Sequence, residues 1–551
     1  MGKIFNTRPL LALVIIFFVI LSLTMLECSE SPVKIDNGFP PADSNDKFVG
    51  LCYGPHRDNE DPNFGIQPTI SELSEDLAFI KNLTLKIRTY GVADNLEQIP
   101  VLCEQYGIDC YPGAWISRYE CENEIQINNL INIANQNLSH VKGLIVGNEV
   151  LLRKNVSEQQ LIDFILEVKS ATSLPVATAE IWKDWLDHPQ LAQTVDILLV
   201  HIYPYWDGIA VEEGASYVLE KWNELKAKYP NKTVVIGETG WPSQGGVRGN
   251  AIPSEENQKS YLSDFICMAK TNNIDYFYFE IFDEKWKSKL EGEAGSHWGI
   301  YFSYGSPKPH LIDLIPESAQ NGINRPPRVV NPTEATLPLY VYKDGCDPLN
   351  SFLSSGWMGE LATLIGNDTT FASPTDIIDE LYTNNPYSGE SCIRISYTPS
   401  AGQWGGIYWQ SPVNNWGLYP GYDLSNSLAG YDTVKLSFWV KGKEGGEKAE
   451  FKTGGINDPT LNYSDSYGPI STGVLTLTND WKEYSLDLTG EDLNMVIGGF
   501  CWVTNYNQNP NGCTIYLDEI VFMGITAGIG NRGNVIPVKF SLSQNIRKGE
   551  K

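Results

Sequence analysis

The chain has 551 residues and a formal charge of −27, from 40 Lys and Arg against 67 Asp and Glu. That length exceeds what one core normally supports and points to roughly two or three domains. So acidic a surface repels nucleic acid and anionic lipid, which excludes polyanionic ligands and favours a neutral polymer. Aromatics make up 11%, with 15 Trp and 28 Tyr, a supply that suits sugar rings and β-sandwich cores equally and so decides nothing alone.

At the N-terminus Lys3 and Arg8 precede an apolar run from Leu10 to about Leu23, the form of an export signal. Residues 1–28 are read as a signal peptide or N-terminal anchor, which places the protein outside the cell or on its surface. Any membrane contact is expected through this segment alone. Cys28 would be a lipid-attachment point, although Glu27 fits small-residue processing poorly. Of ten cysteines, Cys103, Cys110 and Cys121 lie close in sequence, as do Cys501 and Cys513. One or two bridges are expected outside the cell, with no pairing readable, and no Cys/His spacing suggests zinc.

From residue 46 to 315 short apolar strands alternate with amphipathic helices. The strands are FVGLCYG (48–54), LKIRTYG (85–91), DCYPGAWI (109–116), VKGLIVGNEV (141–150), PVATAEIW (175–182), VDILLVHIYPY (195–205), TVVIGETG (233–240) and IDYFYFEIFD (274–283). Between them TISELSEDLAFIKN and SEQQLIDFILEVKSA carry apolar residues at helical spacing, and Ser157 with Gln160 forms a capping-box pattern. Eight strands of parallel type predict an α/β (β/α)8 TIM barrel. An open doubly wound sheet would need a Gly-rich phosphate turn that YGPHRDNEDP lacks. Residues 316–338, rich in Pro and Asn, read as a linker. Residues 339–523 show strand-like alternation broken by turns, which predicts an all-β jelly-roll sandwich. Residues 524–551 read as a tail.

In such a barrel, chemistry sits at the C-terminal strand ends. There the fourth strand places Asn148 and Glu149, the seventh Glu238, the sixth His201, Tyr203 and Tyr205, and the eighth Glu280, Asp283, Glu284 and Lys287. Two carboxyls facing each other across the mouth suit glycosidic-bond cleavage. A separation of about 5–5.5 Å gives retention, a wider one inversion. Glu149 is expected as the acid/base, held protonated by burial and neighbouring negative charge, and Glu238 as the ionised nucleophile. Asn148 would bond a sugar hydroxyl, and Tyr203 would steady Glu238 or stack on sugar. Arg88, Thr89 and Tyr90 end the second strand within reach of substrate or of a glutamate. Among Trp115, Trp182, Trp185, Trp206, Trp241, Trp286 and Trp298, Trp241 is the favoured sugar contact because it follows Glu238 so closely.

The segments VGNEVLLR, VHIYPYW, GETGWPSQG and FEIFDEKWK…HWGIYF resemble glycoside hydrolase family 17, a clan A family of retaining β-1,3-glucan-acting enzymes. The likeness spans about residues 48–312 and is nearer the microbial branch than the plant enzymes. It implies Glu149 as acid/base, Glu238 as nucleophile, Tyr203 as a substrate contact, and Glu280, Asp283, Glu284 and Lys287 as the strand-eight cluster. A β-1,3-glucan hydrolase needing no catalytic cofactor is therefore expected, with endo or exo action open. A glucanosyltransferase or a non-catalytic glucan-binding protein are the alternatives.

The end of the second region, WKEYSLDL…CTIYLDEIVF, resembles the closing strands of carbohydrate-binding jelly rolls, in which a late Asp often ligates structural Ca²⁺. That resemblance implies Asp518, with Asp347, as oxygen ligands. Trp404, Tyr408, Trp409, Trp416, Tyr419 and Tyr422 are expected to form a glucan-binding platform or to pack the sandwich core.

Overall fold

The computed structural model describes residues 47–365 and 377–526. The export segment, Cys28 and most of the tail lie outside the described residues. No described helix is long and apolar enough to cross a membrane.

The first region is α/β and TIM-barrel-like. Its strands are β1 (Leu51–Cys52), β2 (Lys86–Arg88), β3 (Asp109–Tyr111), β4 (Gly113–Ala114), β5 (Leu144–Asn148), β6 (Val176–Ile181), β7 (Ile197–His201) and β8 (Thr233–Glu238). The third predicted strand is split at Pro112, which has no N–H to give a ladder. Pairing is parallel throughout, β1-β2-β3 in one run and β4 to β8 in order in the other. The predicted eighth strand is held by isolated parallel bridges, Tyr276 to Ile236, Tyr278 to Leu51 and Phe282 to Tyr301.

Helices return the chain between strands. Helix Ile70–Ile80 starts on a capping box, in which Thr69 Oγ1 accepts from the Glu72 N–H and Glu72 accepts from the Thr69 N–H. Helix Glu158–Ala171 starts on the predicted Ser157/Gln160 box and buries Leu161, Ile162, Ile165 and Val168 on one stripe.

The second region is β-rich, with two antiparallel sheets. One runs Ile378–Tyr382, Cys392–Tyr397, Cys513–Ile525, Thr433–Gly442, Lys482–Asp487, with Leu339–Tyr342 also paired to Cys513–Ile525. The other runs Leu353–Gly359, Trp404–Gln410, Gly498–Asn505, Lys448–Thr453, Ile470–Thr476. Period-two alternation sends Ile407, Trp409, Phe500 and Trp502 inward to meet Leu436, Phe438 and Ile515 in one core, while Tyr408 and Cys501 point to the other face.

Residues 316–338 are a docked strap rather than a free linker. Arg325 is fully buried, giving two hydrogen bonds to Asp76 (3.1 and 3.0 Å) and one each to the carbonyls of Pro55 (2.7 Å) and Ser303 (3.0 Å). Arg328 pairs with Glu72 at 3.1 Å. A Cys121–Cys346 disulfide ties the two regions together, while Cys103, Cys110, Cys501 and Cys513 are free and buried. The sequence left the pairing open, and the bridge observed spans 225 residues of sequence.

Candidate active site

Glu238 is the last residue of β8, and Glu149 immediately follows β5. The turn carrying Glu149 is tight: Gly147 has φ +84°, and a Cβ there would meet Val150 Cγ2 at 2.5 Å. Glu149 itself sits in the left-handed region at φ +50°, unusual for a residue with a side chain. Its N–H donates to Ala179 O at 2.7 Å, which anchors the turn to β6. A carboxylate oxygen of Glu149, one of Glu238 and a ring nitrogen of His201 all lie within 4.8 Å of one another.

Donors surround Glu238. Tyr90 donates to Oε1 at 2.8 Å and Tyr203 to Oε2 at 2.7 Å, and the Arg88 guanidinium lies 3.3 Å from Oε1. Burial pushes both phenols well up, so they stay protonated and donating. Arg88, itself fully buried, also donates to Asn148 Oδ1 at 2.6 Å and so joins the two strand ends. Asn148 is thereby held beside Glu149, half-buried.

His201 Nδ1 lies 2.7 Å from Glu149 Oε1. Burial alone would push the Glu149 carboxyl up, but the His201 hydrogen bond and the Arg153 and Arg88 charges outweigh it and hold it below the usual range. This corrects the expectation that surroundings keep Glu149 protonated: two guanidinium groups and a hydrogen-bond donor face it.

The strand-eight cluster divides. Lys287 bridges Glu280 and Glu284 (2.6 Å to the latter), and His56 Nδ1 lies 3.0 Å from Glu284. Burial opposes ionisation of Glu284, yet Lys287 and His56 hold its carboxyl low, while burial pushes Glu280 up. All three are at most 6% exposed, so they form a buried ionic wall behind the cleft rather than free substrate contacts. Asp283 does not join them. It pairs with Lys308 at 3.0 Å and accepts from the Gly299 N–H, with burial raising its carboxyl to about 6. His56 and Lys308 escaped the sequence reading, since nothing in YGPHRD or SPKPH shows that they meet strand eight.

Trp241 is another correction. It is fully buried, its Nε1–H donates to Ile252 O, and its ring packs against Tyr205 and Tyr261, so it is core. Trp185 and Trp298 are likewise fully buried. Trp115 is exposed with the Arg153 guanidinium 4.0 Å over its ring, and Trp182, Trp206 and Trp286 are half-buried.

In the second region Asp518 and Asp347 do not fit a calcium ion. Asp518 Oδ2 accepts from the Tyr387 and Ser388 N–H groups and Oδ1 from the Glu519 N–H. Asp347 is taken by Lys343 at 2.7 Å and the Leu349 N–H. The six aromatics do not form one platform either. Trp409 is core, Tyr408 donates to Gly454 O beneath Trp416, Tyr422 packs on Phe352, Trp404 is exposed, and Tyr419 meets Phe64 of the first region.

Residues 50–299 match a family model described as the BtgE/BtgC glycoside hydrolase domain. The chain is 29% identical over 269 residues to a probable glucan endo-1,3-β-glucosidase btgC of Aspergillus terreus, covering 44% of this chain and 41% of that protein. It is 28% identical over 293 residues to glucan endo-1,3-β-glucosidase btgC of Emericella nidulans, covering 46% and 44%. The chain therefore spans less than half the length of these curated relatives. Among solved structures it is 31% identical to a glycoside hydrolase family 17 β-1,3-glucanosyltransferase from Rhizomucor miehei, covering 48% of this chain and 96% of that one at a TM-score of 0.43.

Proposed function

We propose that the protein, whose residues 50–299 match the BtgE/BtgC glycoside hydrolase domain, is a retaining glycosidase acting on β-1,3-glucan. The observation that carries this is the approach of Glu149 and Glu238 within 4.8 Å across one cleft. That spacing suits a direct attack and leaves little room for the interposed water that inversion requires.

Glu238, oriented by Tyr90 and Tyr203, attacks the anomeric carbon. Glu149 gives its proton to the departing glycosidic oxygen, and a covalent glycosyl-enzyme forms. Glu149, now ionised, takes a proton from water, whose oxygen displaces Glu238 and restores the starting state. A sugar hydroxyl in place of that water would give glucanosyl transfer through the same intermediate. The test is a digest of defined laminari-oligosaccharides by the protein and by Glu238→Gln. Shorter products lost with the substitution support the reading; products longer than the substrate mean transfer; unchanged turnover by the variant rejects it.

For the wider architecture we infer a closed (β/α)8 barrel, supported by parallel bridges on both sides of residues 276–278, and a jelly-roll sandwich, supported by the two antiparallel sheets sharing one core. Secretion or surface display is the favoured location, since the Cys121–Cys346 disulfide suits an oxidising compartment.

A further inference from the structure

Beyond strand eight, a chain of contacts runs outward from the Glu284 cluster. His56, bonded to Glu284, meets the half-buried Trp286 ring edge-on at 5.9 Å. Three residues on, the Lys289 ammonium pairs with Asp61 at 3.1 Å and lies over the Phe64 ring at 4.8 Å. Phe64 belongs to the loop after β1 and reaches Tyr419 of the β-rich region at 4.9 Å between ring centroids. Lys289 also faces the Tyr419 ring at 5.8 Å. The Phe64 and Lys289 loops follow the C-terminal ends of β1 and of the eighth strand segment, the end that carries Glu149 and Glu238.

The loop that presents Tyr419 is preorganised. Asn415, fully buried, donates to the carbonyls of Ser411 and Tyr419 and accepts from the N–H groups of Gly417, Leu418 and Tyr419. The same loop holds Trp416 half-buried over Tyr408, and the Cys121–Cys346 disulfide fixes this region against the first.

We propose that Phe64, Lys289, Tyr419 and Trp416 form a remote subsite in which the β-rich region prolongs the catalytic cleft and holds the far end of a long β-glucan chain. The ligand class follows from the chemistry. Partly exposed aromatic rings bind the apolar faces of pyranoses, and the Lys289 ammonium is already neutralised by Asp61, so a neutral polysaccharide fits and an anion does not. The subsite rests on the proposed glucan activity, yet it differs from a separate binding module in requiring continuity with the cleft.

The test compares kcat/KM for laminaritriose with that for laminari-oligosaccharides too long to fit the barrel alone, in the full chain and in Tyr419→Ala and Trp416→Ala. The long-to-short ratio is expected to fall about tenfold in each variant. An equal loss at every length means that these rings only seal the interface, and an unchanged ratio means that glucan does not reach them; either overturns the subsite. Retardation of Glu238→Gln in gels containing laminarin separates this from the activity itself. Retardation that weakens when Tyr419→Ala is added sustains the subsite even without turnover; equal retardation overturns it.

Discussion

Arg88 Nη1 lies 2.9 Å from His201 Nε2, and a guanidinium can only donate, so that ring nitrogen accepts. His201 is therefore neutral, with its proton on Nδ1, the atom 2.7 Å from Glu149 Oε1. One buried arginine thus fixes the tautomer of the residue that faces Glu149.

A pH dependence follows. In the proposed mechanism the acid form of Glu149 donates in the first step, and its carboxyl is held below the usual range by the His201 bond and nearby guanidinium groups against the effect of burial. The protonated fraction declines once pH passes a low value, so kcat/KM is expected to peak on the acid side. In His201→Ala the donor is gone, and the basic limb of the profile should move to higher pH. A limb that stays in place would show that His201 does not set this titration.

Retention is checked at Glu149. Glu149→Ala should lower turnover of laminarin by about 10²–10⁴-fold, the usual size of lost acid/base help. Azide should restore part of the rate on an activated aryl β-glucoside, because it can attack the glycosyl-enzyme without a general base. The product should be the β-configured azide; the α anomer would exchange the roles of Glu149 and Glu238.

The interregion disulfide is testable without activity. Removing a native bridge that closes a long loop costs about 2–5 kcal/mol, so reduction or Cys121→Ser should lower the melting temperature. In Cys121→Ser, added reductant should then have little further effect. Thiol titration of the denatured protein that finds every cysteine reduced would remove the bridge from the account.

Much of this was legible in the chain. Seven strand segments appear where short apolar runs end in Gly or polar residues, and both capping boxes follow their local pattern, because these signals depend on neighbours only. The pair Glu149 and Glu238 was readable because strand order fixes which ends share a mouth. What failed depends on partners distant in sequence. Arg325 lies in a polar stretch, yet its partner Asp76 is 249 residues away. Trp241 was misplaced because proximity to Glu238 in sequence says nothing of which way the chain turns; its ring went into the core. Asp518 looked like an ion ligand because a carboxylate that accepts three backbone N–H groups leaves no trace in sequence.

Glu180 yields the last prediction. It lies on β6 with no exposed surface, Oε1 accepting from the Leu151 N–H at 3.2 Å and Oε2 without a partner. Burial, reinforced by the charges of Asp184 and Glu149 and opposed by the backbone N–H, raises its carboxyl to about 8. In the unfolded chain it titrates near about 4.3. Between those values the folded protein retains a proton that the unfolded chain has released. Stability therefore falls as pH rises through this window and levels off above about 8. Glu180→Gln keeps an amide in the same place and removes the titration, so its melting temperature relative to the unaltered protein should climb by several degrees from pH 5 to pH 8. A difference that stays constant over that range would mean that Glu180 ionises as an ordinary carboxylate where it stands.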